Sequence, residues 1–93
     1  MISIAEVKIE QKIHRKLGMR STAEDFFNSL NTNVDEIVID FDNVDFMSRS
    51  FAQEYVYQKR KVDVKIIEKN TKGIVKDMLN TVENDYNETF GIT

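Results

Sequence analysis

The chain has 93 residues, 41% of them hydrophobic, with six Phe, three Tyr, no Cys, no Pro and a formal charge of −3. That is material for one packed domain, and it excludes disulfides, zinc–thiolate centres and thiol nucleophiles. No run approaches the ~18 apolar residues of a membrane span, and scattered basic residues on an acidic chain weigh against a phosphate backbone as the main partner.

In chain order, Ile2 and Ile4 suggest a short strand. From Glu6 to Leu17 the pattern is mixed: Val7 and Ile9 alternate, while Ile9, Ile13 and Leu17 recur every four residues. Gly18 either closes a helix or opens a turn. A first helix is expected over 22–30, with Ser21 and Glu24 at capping-box spacing and Ala23, Phe26, Phe27 and Leu30 as its apolar stripe.

The clearest strand is Glu36–Phe41. Its run Ile37-Val38-Ile39 leaves no polar face, the pattern of a strand covered on both sides and central in a parallel sheet. A second helix is expected over 51–60, capped by Ser50 with Gln53 behind it, burying Phe51, Ala52, Tyr55 and Val56. Val62–Ile67 alternates apolar and polar residues, as a strand nearer an edge does. Asn70 is the expected cap of a third helix over 71–83, with Ile74, Val75, Met78, Leu79 and Val82 on its apolar face. The expected fold is α/β, a small parallel or mixed sheet packed by helices in strand–helix repeats. It forms a single domain with its core over about 18–83 and a tail from 84 to 93.

Ligands of open α/β sheets gather at the carboxyl ends of the strands. That directs attention to the loop Asp42–Met47 and to Ser48, Arg49, Ser50 and Phe51, where hydroxyls and a cation meet a helix start. One serine is needed as the helix cap, and a phosphate on Ser48 or Ser50 would sit in the field of the helix end, with Arg49 as donor. Asp40, Asp42 and Asp45 match Mg²⁺ ligands by type, but Asp is also ordinary turn vocabulary. No metal or cofactor is assigned. Arg20 is a second candidate anion contact. His14 has no second histidine or thiol to work with. Lys59-Arg60-Lys61 complements a helix C-terminus, and Tyr57 is a candidate interface residue.

The run from Ile37 to Glu54, and Ser48-Arg49-Ser50-Phe51-Ala52 above all, resembles the STAS-like domain of unknown function, a relative of the sulfate-transporter and anti-sigma-factor-antagonist domain. Weaker similarity runs back through Gly18, Arg20 and Ala23, and forward through Asn70 and Val75. The antagonists carry Asp-Ser-Ser-Gly at the corresponding helix start, and a partner kinase phosphorylates the first serine. Here Ser48 stands in place of the Asp, Arg49 replaces that serine, Ser50 matches the second, and Phe51 replaces the glycine. The usual acceptor is missing, so the candidate acceptors are Ser48 and Ser50.

The resemblance implies a non-catalytic regulatory domain docking an ATPase-type protein kinase or other signalling protein through Asp42, Asp45, Met47, Ser48, Arg49, Ser50 and Phe51. The alternative is a small-anion or nucleotide-binding domain, or a phosphoryl-transfer enzyme, using the same helix start, although no glycine-rich phosphate loop is present. An N-terminus without a basic start and apolar run, together with the lack of cysteine, points to the cytoplasm. An exposed Val62–Ile67 edge offers a route to pairing two chains.

Overall fold

A computed structural model of the chain describes residues 2–87. The elements in order are β1 (Ile4–Lys8), α1 (Ile9–Lys12), β2 (Lys16–Leu17), α2 (Arg20–Asn28), β3 (Glu36–Asp40), β4 (Phe46–Met47), α3 (Arg49–Lys61), β5 (Lys65–Lys69) and α4 (Gly73–Tyr86). The fold is α/β, as expected. The main sheet has the order β1-β3-β5, all parallel, and β2 and β4 form a second, two-residue parallel pair.

β3 is central, as its β-branched run requires, and β5 is an edge. The edge strand lies further along than its alternation suggests, over Lys65–Lys69. Pairing decides this: Lys65 opposes Glu36, and the Lys65 amide donates to Asp35 O. α3 runs on to Lys61, and Val62 and Val64 then pack against the core from a connecting segment. The N-terminal residues belong to the fold rather than preceding it, because β1 pairs with β3 along its whole length. At the other end, residues 84–86 are the last turn of α4 instead of a tail, while 88–93 lie outside the described residues.

Parallel neighbours need crossover connections, and right-handed crossovers that step the same way place their helices on one face. The core reflects this. Ile37, Ile39 and Ile66 from one face of the sheet cluster with Phe26 and Phe27 of α2, Phe51, Tyr55 and Val56 of α3, and Val75, Leu79 and Val82 of α4. Tyr55 is the hub, with Phe27, Phe41 and Phe51 packed around its ring. Its hydroxyl donates to Glu68 Oε2 at 2.7 Å. Lys59 bridges the same oxygen to Glu83, tying β5, α3 and α4 together. Burial first, then the Glu68 carboxylate, pushes the Tyr55 phenol well above its ordinary range. Burial opposes the Lys59 ammonium, but its bonds to Glu83 and Glu68 outweigh that and hold its pKa up.

The opposite face departs from expectation. Ile4, Val38 and Ile67 lie in the alternate rows, and none of them joins the core cluster. Among the described residues the hydrophobic core therefore forms on one side of β3, with Val38 and Ile67 only part-buried on the other. Ile74 was expected in the core and is 58% exposed, because α4 turns only Val75, Leu79 and Val82 fully inward.

Met47 and Phe51 are fully buried. Both were candidate partner contacts, and both are core residues, since β4 and the first turn of α3 point them under the helix layer. Phe51→Ala should lower unfolding stability by ~3–5 kcal/mol, the usual cost of emptying a buried ring site. Chemical denaturation checks this, and a loss under 1 kcal/mol would contradict the core assignment.

Candidate functional site

The start of α3 is held by a short chain of hydrogen bonds. The Ser48 amide donates to Leu17 O at 2.8 Å, continuing the β2–β4 ladder. The Ser48 hydroxyl donates to Gly18 O at 2.8 Å and accepts the Phe51 amide at 3.1 Å. Ser48 is thus the N-cap, two residues before Ser50, the serine at capping-box spacing. The β2–β4 pair fixes where the chain turns, so the first serine after it takes the role. Ser50 is left exposed inside the first turn, its Oγ 3.3 Å from that of Ser48.

The two other caps also move. α2 starts at Arg20 after Met19, with no side-chain cap, and Thr22 Oγ1 donates back to Met19 O. Only two residues separate β2 from α2, so Ser21 already lies in the first turn of the helix. Asn70 does not cap α4, which begins at Gly73. Asn70 instead takes a left-handed backbone (φ 61°) and donates its side-chain amide to Asp40 Oδ1 at 2.8 Å.

Asp40 is only 4% exposed and accepts a second bond from the Asp42 amide at 2.9 Å. Lys69 approaches its other oxygen at 4.0 Å. The Asn70 bond, helped by the Asp42 amide and the lysines Lys69 and Lys8, lowers the Asp40 pKa against the opposing effect of burial. This carboxylate latches the ends of β3 and β5 together. No group of three or more His, Cys, Asp or Glu side chains arranged to hold a metal occurs among the described residues.

The sequence-derived site residues therefore separate into three places. Met47 and Phe51 are inside. Asp45 faces an open cavity of about 460 Å³ at the carboxyl rim, with Glu10, Arg15, Asn43, Val44 and Lys72. It pairs there with Arg15 at 3.7 Å and Lys16 at 3.5 Å, while Asp42 is half-buried beside the latch. Ser50 and Arg49 sit on the exposed side of α3, where Arg49 pairs with Asp85 of α4 at 2.5 Å.

From there an open groove of about 420 Å³ runs between α2, α3 and α4, lined by Arg20, Gln53, Glu54, Tyr57, Val82, Asp85 and Tyr86. Arg20 does reach α3, but through Gln53 at 3.5 Å and Glu54 at 3.9 Å rather than through the serines. Tyr57 is 45% exposed, with Lys61 over its ring. Sequence reasoning missed Gln53, Glu54, Asp85 and Tyr86. The first two were legible, because Ser50, Gln53, Glu54 and Tyr57 share one side of a helix at three- and four-residue spacing. Asp85 and Tyr86 carried no signal once residues 84 onward were taken as a tail.

The remaining candidates are quiet. His14 is exposed, and its Nδ1 accepts the Lys16 amide. Lys59 and Arg60 are engaged with Glu68, Glu83 and Asn87, so the Lys59-Arg60-Lys61 run is not a free basic patch. No protein-family model, curated protein or solved structure matches this chain.

Two outcomes check these assignments. Ser48→Ala should cost about 1 kcal/mol of stability as a lost cap, and Ser50→Ala should stay within ~0.5 kcal/mol as a surface change; equal effects in denaturant titrations would contradict the cap assignment. Because the folded Asp40 pKa is depressed, its contribution is present above the unfolded value and lost as pH falls through the folded one. Asn70→Gly keeps the left-handed backbone and deletes the amide, so its melting temperature should fall relative to wild type at neutral pH and the two should converge as pH falls below the ordinary carboxylate range.

Proposed function

We propose that this chain is a non-catalytic, STAS-like regulatory domain that docks a signalling protein through the exposed side of α3, from Arg49 and Ser50 along Gln53 and Glu54 to Tyr57. The observation that carries this reading is the division of labour between the serines. Ser48 is consumed by Gly18 and the Phe51 amide, whereas Ser50 stays exposed at the helix start beside a cation.

The neighbouring groove supports it, with an exposed tyrosine, two carboxylates and Arg20 along one continuous surface. The parallel strands packed by helices agree with what the resemblance implies for the fold. Ser50 is the better placed acceptor for a partner kinase. A phosphate there would lie at the positive end of α3 and compete with Asp85 for Arg49. A modification of Ser50 would thus loosen a tie between α3 and α4 at the mouth of the groove, which gives phosphorylation a means of altering the docking surface.

The experiment is affinity capture from the native host with wild type and with an R49A/S50E variant, followed by intact mass measurement of the recovered domain. The expected result is a partner retained by wild type and reduced at least tenfold by the variant, which corresponds to about 1.4 kcal/mol of binding energy. Recovery of the same proteins in equal amount by both would overturn the proposal.

A further inference from the structure

We propose that the cavity between β1, β3 and the end of α2 is a binding site for a small monocarboxylate with an apolar body of about six carbons. It shares no lining residue with the groove on α3, so it stands apart from the docking role.

Side-chain volume sets up the cavity. The rows of the sheet that face the helices read Ala5–Ile37–Ile66 and Val7–Ile39–Glu68 across the three strands. Ala5 is the smallest side chain in either row, and it stands on the outer strand. A cavity of about 170 Å³ remains there, walled by Ala5, Val7 and Ile37 of the sheet and by Leu30 just beyond α2. Ile37 is buried, and the other three are half-buried. Core side chains normally fill such space, and an empty one forfeits the contacts its walls could make. Water is a poor occupant, because apolar walls offer it no hydrogen bonds. Apolar cavities of ~150 Å³ stay dry and accept a benzene-sized guest.

The rim selects the head of the ligand. Lys12, Ser29 and Asn31 complete the lining, and all three are exposed. Ser29 donates its hydroxyl to Phe26 O at 2.7 Å. The Asn31 side-chain oxygen accepts the Asn33 amide at 2.9 Å, which leaves the side-chain NH2 as a donor. The Lys12 ammonium has no ion pair or hydrogen bond among the described residues. Among those residues the lining thus has one unmatched positive charge and no carboxylate. Lys59, Lys65 and Lys69 are each answered by a glutamate of the fold, and Lys12 is not. One ammonium and one amide at the mouth serve the two oxygens of a carboxylate, and the hydrocarbon walls below take its chain.

Size and exposure set the strength. The charge lies at the surface, so it contributes preference more than affinity. Few apolar atoms are buried, and the dissociation constant falls in roughly the millimolar range.

Sodium hexanoate is the probe, titrated into the full chain to about 20 mM while amide signals are followed by NMR. The amides of Ala5, Val7, Leu30 and Ile37 should shift together and saturate. Hexylammonium, with the same chain and the opposite charge, should bind at least threefold more weakly. Lys12→Met keeps the apolar walls and should remove that preference. Ala5→Leu fills the cavity and should abolish the shifts, with the dispersion of the spectrum reporting that the variant folds. If it does not fold, Ala5→Val adds less bulk and should still weaken hexanoate at least threefold. No shift at these amides across the range overturns the proposal. So does equal binding of hexylammonium by the wild type, or hexanoate binding that the folded Ala5 variant leaves intact.

Discussion

The structure depends on β3 being paired along both edges by parallel strands. A parallel neighbour cannot be reached by a tight turn, so each of β1 and β5 must be joined to β3 by a connection that travels back over the sheet. Both connections step in the same direction across the order β1-β3-β5. Their common handedness then gathers α2 and α3 on one face, and α4 joins them there against α3. The one-sided core and the groove between the helices are both consequences of that single arrangement.

The candidate site follows from a smaller constraint laid over the first. β2 and β4 are two residues long, yet their parallel pairing brings Gly18 and Ser48 together and determines where α2 and α3 begin. A serine that closes a strand pair and caps a helix is occupied by structure. The next serine along is released to the surface, and it is the one next to the inter-helix tie of Arg49 and Asp85. Burial of Met47 and Phe51 in the same few residues gives this segment a rigid footing, so its exposed side chains are presented from a fixed backbone instead of a mobile loop.

The polar groups inside the fold sit where elements must be held in relation to each other. Asp40 and Asn70 join the ends of β3 and β5, while Tyr55, Glu68, Lys59 and Glu83 join β5 to α3 and α4. Every buried side-chain donor and acceptor among the described residues has a partner. Networks of this kind contribute specificity of arrangement, since any one member left alone would carry the full cost of desolvation. The left-handed Asn70 shows the price of such a latch: a backbone conformation that few residues other than glycine and asparagine adopt easily.

The α/β class, the central place of β3, the edge character of β5 and the buried stripe of α3 were all legible in the sequence. They rest on local periodicity and on β-branched runs, which are properties of neighbouring residues. The caps of α2 and α4 were misassigned, and the choice between Ser48 and Ser50 at α3 was left open, for one reason. Ser21, Ser50 and Asn70 satisfy a local capping pattern, but the starting points of α2, α3 and α4 are set by strand pairs and turns formed with residues far away in the chain. The same limit applies to the site, where Ser48, Arg49 and Ser50 were recognisable as a group. Only the packing of α4 on α3 decided that Arg49 belongs with Asp85, and only the gathering of the core on one side of the sheet left Val38 and Ile67 outside it. Periodicity tells which residues need cover, while the tertiary arrangement determines which of them receive it.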